Sequence, residues 1–393
     1  MRFLEDLSAS AFTAGFVAVL VGFTSSSDIV FQAALAFGAS PAEIASWMWA
    51  LGLGMGLCSL VPSLWLRKPI MIAWSTPGAA VLALAGGFSM SEAIGAFMVC
   101  AALVTLFGVT GWFEKIMDRV PVAICAALLA GVLARFGLQA FQAAQTALPM
   151  VLLMLAAYLL GKRCWPRYAV VLTLLVGIVF AAVRGDLAKA DVAFGLAVPV
   201  FTAPIFSWSA IVSLAIPLFV VTMASQNLPG VAVIRATGYG GPAGIPISKI
   251  ITLTGVATLV LAPFGAFALN LSAITAAICM GREAHENPDK RYVAAVSCGA
   301  IYVLIGLFGA AIAGVLTAFP KELVAAIAGL ALLGTIGNSL TAALRDESHR
   351  EAALITFLVT LSGVVIAGVG SAFWGVVAGG IAIAVQQYGR RLT

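Results

Sequence analysis

One apolar stretch constrains the fold of this chain more than any other. It reads PIMIAWSTPGAA over residues 69–80, and its first half has the β-branched residues of an extended segment. The following Ser75-Thr76-Pro77 is typical of a helix start, because a hydroxyl stands at the cap and a proline in the first turn. We therefore expect a helix from about Thr76. An extended segment within a bilayer must be covered by protein or line a water-filled cavity.

A second stretch, PFGAFALNLSA over residues 263–273, repeats this design in the other half of the chain. We expect it to run extended from Pro263 and then to start a helix capped by Asn270 or Ser272. Paired interrupted segments in corresponding places of two halves indicate a transporter built from inverted repeats, and they mark its binding site. The two stretches predict an all-α polytopic membrane protein with two short extended segments, in spans 3 and 10.

Composition supports a membrane protein and excludes a soluble enzyme, since 62% of the residues are hydrophobic and 9% are charged. The net charge of +5 comes from short loops and does not indicate nucleic-acid binding. The six cysteines stand singly, which favours packing over metal or disulfide roles. Apolar runs predict about 14 spans. They lie near 10–36, 42–64, 70–87, 90–112, 119–138, 144–161, 166–183, 208–235, 244–262, 264–283, 290–316, 322–343, 350–367 and 371–388.

The charge distribution predicts the topology. Most of the 21 Lys and Arg residues fall at one side of these spans, so we place that side and both termini in the cytoplasm. Seven spans in each half invert the second half relative to the first. We predict a first inverted repeat over 1–183 (spans 1–7), a connecting segment over 184–206 and a second repeat over 207–393 (spans 8–14).

Four polar clusters lie at membrane depth, namely 24–28, 74–76, 225–230 and Asn270 with Ser272. Spans 1 and 8 correspond in an inverted repeat, as do spans 3 and 10, so we expect all four clusters to meet at one site. The candidate substrate-binding residues are Ser25, Trp74, Ser75, Thr76, Ser225, Gln226, Asn227, Phe264, Phe267, Asn270 and Ser272.

The chemistry of these candidates favours an anionic aromatic ligand. The N-termini of the two half-helices carry positive dipole ends and free N–H groups, which attract an anion. Trp74, with Phe264 or Phe267, offers an apolar wall for a ring. Gln226 and Asn270 offer amide donors and acceptors, although such amides also serve as interhelical hydrogen bonds.

Asp28 is the carboxylate that we place inside the hydrocarbon region. A charge there costs roughly 2.5–3.5 kcal/mol on insertion scales, so we expect Asp28 to have a functional role. A structural acid bonded to neighbouring serines is the alternative. His285 stands between carboxylates in a loop of alternating charges, which we interpret as a structured or gating loop without a metal or another cofactor.

Three motifs together resemble the benzoate–proton symporter family (BenE type). They are residues 69–80, SQNLPG at 225–230, and AFALNLSAITAA at 266–277 followed by GREAH at 281–285. The resemblance covers nearly the whole chain. It implies the fold of nucleobase and sulfate/anion transporters, with a core domain of spans 1–4 and 8–11 and a gate domain of spans 5–7 and 12–14. Nucleobase transporters place glutamates in spans 8 and 10, where this chain has Ser225/Gln226 and Leu269/Asn270, a departure that argues against a nucleobase.

The resemblance implies uptake of benzoate or a related aromatic carboxylate with a proton, by alternating access, across a bacterial inner membrane. Under it we expect Asp28 to carry the coupled proton, with Glu283 at the cytoplasmic end of span 10, or direct uptake of the neutral acid, as the alternatives. The expected partners are that substrate, the proton and membrane lipid. The oligomeric state is left open, with a homodimer among the candidates. The alternatives are transport of another small anion or heterocycle, such as a dicarboxylate or nucleobase, an anion channel, or a membrane scaffold without transport.

Overall fold

A computed structural model of the chain describes residues 5–24, 26–83, 85, 87–117, 119–187, 195–308, 319–366 and 371–390. Eight helices in this part of the chain are long and apolar enough to cross a membrane, and three shorter apolar helices accompany them. The chain is therefore a polytopic helical membrane protein, as its composition predicts.

The first half contains nine helices and one strand in the described residues. They are α1 (Ala9–Thr24), α2 (Ser27–Ala36), α3 (Pro41–Leu66), β1 (Ile72–Trp74), α4 (Thr76–Ala83), α5 (Met90–Thr110), α6 (Trp112–Met117), α7 (Val122–Gln142), α8 (Ala144–Cys164) and α9 (Ala169–Arg184).

The second half begins with a long helix, α10 (Trp208–Ala236). The remaining elements are α11 (Ile247–Leu261), β2 (Leu269–Leu271), α12 (Ile274–Met280), α13 (Tyr292–Leu307), α14 (Lys321–Leu344), α15 (Arg350–Ser362) and α16 (Ser371–Arg390). Each half thus has one strand followed directly by a short helix.

The two strands pair with each other. They are antiparallel, with Ile72 opposite Leu271 and Ala73 opposite Asn270. The predicted helix start at Thr76 is confirmed. The prediction for the second stretch is wrong in two details: residues 262–264 form a 3₁₀ turn rather than extended chain, and the helix begins at Ile274 rather than at Asn270 or Ser272.

Hydroxyl groups on neighbouring helices accept hydrogen bonds from backbone N–H groups at the outer edges of this two-stranded sheet. Ser59 Oγ on α3 accepts from Ile72 N at 2.9 Å. Thr258 Oγ1 on α11 accepts from Leu269 N at 3.1 Å. All of these groups are buried. An unpaired backbone N–H in hydrocarbon costs several kcal/mol, so these hydroxyls explain how extended chain is stable inside the bundle.

The two halves of the chain interlock rather than lying side by side. The most extensive helix contacts pair α3 with α13, α7 with α14 and α5 with α11, one partner from each half. Where α3 crosses α13, a Cβ added at Gly52 would lie 2.6 Å from the backbone nitrogen of Gly306. Close backbone approach at small residues is the usual way in which membrane helices associate.

Candidate functional site

Ser75 joins three parts of the bundle at the start of α4. Its hydroxyl oxygen accepts from Gly78 N at 3.1 Å, which caps the helix, and from the Thr222 hydroxyl of α10 at 3.0 Å. Its backbone N–H donates to the Ala268 carbonyl at 3.1 Å. Ser75 and Thr222 are fully buried. Sequence reasoning missed Thr222 because a single hydroxyl in an apolar helix carries no pattern.

Trp74 connects β1 to a break in the first span. The predicted run 10–36 is divided, since α1 ends at Thr24 and α2 begins at Ser27. Between them, Ser26 Oγ accepts from the Trp74 indole N–H at 2.9 Å and donates to Gly22 O at 2.9 Å. Ser26 was not a candidate, because three consecutive serines give no sign of which one faces the site. Ser25 and the side chain of Asp28 lie outside the described residues, and their roles stay predictions.

A π-helical turn over Met223–Asn227 carries the candidates of α10. The Asn227 carbonyl oxygen accepts from Leu271 N at 3.0 Å, and its amide donates to Met223 Sδ at 3.2 Å. Asn227 is therefore used in holding β2, while Ser225 and Gln226 are partly exposed on the same turn. Single π-turns inside α-helices occur frequently at functional sites.

Asn270 lies in the middle of β2 and is fully buried. Its amide nitrogen donates to the Ala268 carbonyl at 2.9 Å, the same carbonyl that accepts from Ser75 N. This bond identifies which end of the amide is nitrogen. The other end, Oδ1, has no hydrogen-bond partner among the described residues. Ala268 has a φ of 38°, an unfavourable value for a residue with a side chain, and such strain clusters at functional sites.

The two candidate phenylalanines lie in other aromatic clusters. The Phe264 ring packs against Trp49, with centroids 5.5 Å apart, and the Phe267 ring against Trp47 at 5.8 Å. Trp74 instead contacts the Phe23 ring, with centroids 6.0 Å apart. The ring contacts thus do not support the predicted wall of Trp74 with either phenylalanine.

The remaining hydroxyl candidates lie at the starts of the two half-helices. Thr76 is the first residue of α4 and is partly buried. Ser272 precedes α12, is buried, and its hydroxyl accepts from the Thr275 hydroxyl at 2.6 Å. Direct hydrogen bonds thus connect the break between α1 and α2, the end of β1, α10 and β2.

Glu283 lies beyond the C-terminal end of α12 and is paired with Lys162 of α8. The two charged groups are 2.9 Å apart, and the side chains are 9% and 35% exposed for Glu283 and Lys162. A Cβ at Gly334 of α14 would crowd the Glu283 carboxylate and displace it from its present position. The ion pair connects the element after the second strand to α8. A lysine at a helix end in a basic loop gave no sequence signal for this pairing.

The loop containing His285 is structured by its own hydrogen bonds. His285 Nδ1 accepts from Asn287 N at 3.0 Å, and the Arg291 guanidinium donates to the carbonyls of His285 and Met280, at 2.8 and 2.9 Å. This agrees with the structured loop predicted from the alternating charges.

Comparison with known proteins places the chain in a family. The family profile described as "Benzoate membrane transport protein" (BenE) matches residues 5–385. The chain is 48% identical to the inner membrane protein YdcO of Escherichia coli K12, over 95% of this chain and 94% of that protein. It is 40% identical to the benzoate membrane transport protein of Acinetobacter baylyi, over 96% of this chain and 95% of that protein.

Two solved structures align with the chain at low sequence identity. SLC26A9 aligns with a TM-score of 0.51 and 10% identity, over 98% of this chain and 66% of that chain. The transmembrane domain of the cyanobacterial bicarbonate transporter BicA aligns with a TM-score of 0.46 and 12% identity, over 94% and 97%. The similarity to SLC26A9 is evidence for the fold alone. That fold is the 7+7 inverted repeat predicted from the sequence. By its family profile and its relatives, the chain belongs to the BenE family of benzoate membrane transport proteins.

Proposed function

We propose that this protein is a secondary active transporter that imports benzoate or a related aromatic carboxylate with a proton by alternating access, in the bacterial inner membrane with both termini in the cytoplasm. The observation that carries the proposal is the meeting of Ser75 and Asn270 at one backbone carbonyl, where the end of β1, the start of β2 and the start of α4 come together. The curated relative from Acinetobacter is named for benzoate, and the one from Escherichia coli for the inner membrane.

The proposed substrate site uses the polar groups at the starts of the two half-helices. The substrate carboxyl group contacts Ser75, Thr76 and Asn270, near the N-terminus of α4, where the positive end of the helix dipole adds a favourable field. The ring lies along Trp74. Gln226, on the π-turn, orients the substrate from the side of α10. The bonds of Asn227 to β2 give it a supporting role.

The proposed transport cycle moves a core domain against a gate domain. The core contains spans 1–4 (α1–α5 with β1) and spans 8–11 (α10–α13 with β2), and the gate contains spans 5–7 (α7–α9) and 12–14 (α14–α16). The extensive contacts of α3 with α13 and of α7 with α14 support this division, because each lies within one proposed domain. The Lys162–Glu283 pair then crosses the boundary at the cytoplasmic side, and opening on that side separates its charges.

A binding panel on the purified protein tests the substrate class. Radiolabelled benzoate is competed with substituted benzoates, uracil and succinate. We expect the aromatic monoacids to compete and uracil and succinate to fail, because no glutamate pair is available for a nucleobase and one carboxyl subsite is proposed. Preferential competition by uracil or succinate rejects the proposal.

A further inference from the structure

The unpartnered oxygen of Asn270 specifies what the ligand must offer. The side chain is fully buried, and its orientation is determined because its nitrogen donates to Ala268 O at 2.9 Å. The oxygen has no donor among the described residues. A buried acceptor without a donor loses its hydrogen bonds to water and gains none in return. A bound ligand that stabilises this site should therefore bring a hydrogen-bond donor.

A carboxylate cannot meet that requirement. An ionised carboxyl group has acceptors only, so benzoate would place an oxygen with no proton against the Asn270 oxygen. The protonated acid has one O–H donor and one carbonyl acceptor. Between the two forms of the same substrate, the geometry at Asn270 favours the acid.

Ser75 supplies the complementary group. Its oxygen accepts from Gly78 N and from the Thr222 hydroxyl, and the structure describes no acceptor for the proton of Ser75 itself. Ser75 N and the Asn270 amide share the Ala268 carbonyl, so the two residues are neighbours. One hydroxyl donor and one amide acceptor match the C=O and O–H of a single carboxylic acid.

We propose, on the basis of the function proposed above, that the site binds the neutral aromatic acid and that the coupled proton travels on the substrate carboxyl group. Outside, benzoate and one proton combine to give benzoic acid, which binds between Ser75 and Asn270. Released into the cytoplasm, the acid ionises, so one benzoate and one proton enter together. No protein carboxylate has to change its charge during the cycle.

The ionisable residues around the strands are few. Glu43, Lys249 and Arg235 lie in the first or last turn of their helices, away from the middle of the bundle. Cys58 and Cys279 are buried. The ionisable residues on the elements packed against β1, β2 and α4 are Glu43, Cys58, Lys249, Arg235, Cys279 and Asp28.

Neutral analogues test the proposal on the full-length purified protein. Benzamide keeps the donor and acceptor of the acid and carries no charge, whereas methyl benzoate has no donor. In competition with radiolabelled benzoate at pH 6, we expect benzamide to compete and methyl benzoate to be at least tenfold weaker. The Kd for total benzoate should rise about tenfold per pH unit from pH 5.5 to 7.5, because the acid fraction falls tenfold per unit well above a carboxyl pKa near 4. The benzamide affinity should not change with pH.

Two variants test whether ligand binding needs the Asn270 oxygen itself or responds to the loss of any unpartnered buried oxygen. Asn270→Leu should weaken both benzamide and benzoic acid at least tenfold. Thr360→Val removes the other unpartnered buried side-chain oxygen of the described residues, in the distant α15, and should leave both affinities unchanged. If Asn270→Leu does not fold, the competition by benzamide and methyl benzoate on the unmodified protein still tests whether the neutral acid is bound.

The outcomes distinguish this inference from the proposed function. Benzoate binding that does not change with pH, with no competition by benzamide, shows that the anion is bound; this overturns the inference and leaves benzoate transport intact. Failure to bind benzoate at pH 5.5 overturns both.

Discussion

Replacing Asn227 with alanine should destabilise the protein through β2. The substitution removes the acceptor of Leu271 N, a bond of 3.0 Å between two buried groups, and the contact with Met223. An unsatisfied buried N–H costs about 1–3 kcal/mol, and the vacated volume adds about 1 kcal/mol. We therefore expect a loss of about 2–4 kcal/mol in the free energy of unfolding. Benzoate affinity should fall as well, because β2 carries Asn270.

The measurement is reversible unfolding of the purified protein in mixed micelles, with Asn287→Ala as the matched control. Asn287 also accepts a backbone N–H through its side-chain oxygen, from Asp289 at 2.9 Å, but at an exposed site. Water replaces that bond, so the control should lose less than about 1 kcal/mol. Equal losses in Asn227→Ala and Asn287→Ala would refute the claim that buried side-chain acceptors stabilise the strand edges.

Four further predictions concern other parts of the transporter. Gln226→Ala should weaken benzoate binding by about 1–3 kcal/mol in a binding assay, as expected for the loss of its proposed hydrogen bond to the substrate. Lys162→Met should leave its carboxylate partner unpaired and change the uptake rate with little change in Kd; because the lysine is partly exposed, we expect at most about 1–2 kcal/mol of stability to be lost. Asp28→Asn should retain proton-driven accumulation of benzoate, since the proposed proton carrier is the substrate. The Lys290 ammonium, by hydrogen bonding to Asp6, lowers the pKa of that carboxyl group; Asp6→Asn should therefore reduce thermal stability at pH 7, with the difference disappearing as the pH falls through the lowered pKa.

Each of these predictions has an outcome that contradicts it. Unchanged affinity in Gln226→Ala assigns that amide to helix packing. Lys162→Arg should restore the uptake rate, and its failure to do so argues against the ion pair. Loss of accumulation with retained binding in Asp28→Asn makes Asp28 the proton carrier. A stability difference in Asp6→Asn that persists at pH 2 contradicts the role of the ionised carboxylate.

The first strand could be predicted in detail from the sequence, and the second could not, for a local reason. The helix start at Thr76 depends on a capping hydroxyl and a proline within three residues, which are visible in any context. The second stretch turns at Gly265, with a φ of 102°, and again at Ala268. The turn at Ala268 cannot be inferred from an alanine, because positive φ is unusual for that residue. The extended segment is therefore shorter than predicted, and the helix begins later.

The polar residues of the site were predictable as a group, but their individual contacts were not. Asn227 and Asn270 are equivalent in sequence terms, since both are amides in apolar spans. Only the π-turn and the strand register reveal that Asn227 satisfies a backbone N–H while the Asn270 oxygen has no described partner. Thr222 and Ser26 were not predicted for a related reason. Each contributes to the site through one hydrogen bond to a residue distant in sequence, which leaves no sequence pattern.

Accumulation of radiolabelled benzoate in proteoliposomes with an imposed pH gradient tests the central claim most directly. The account predicts that benzoate accumulates above its outside concentration when the outside is acidic, that a protonophore abolishes this, and that uracil does not compete. A channel would only equilibrate the substrate, and a scaffold would not move it. Either result, or accumulation of uracil in preference to benzoate, would contradict the account.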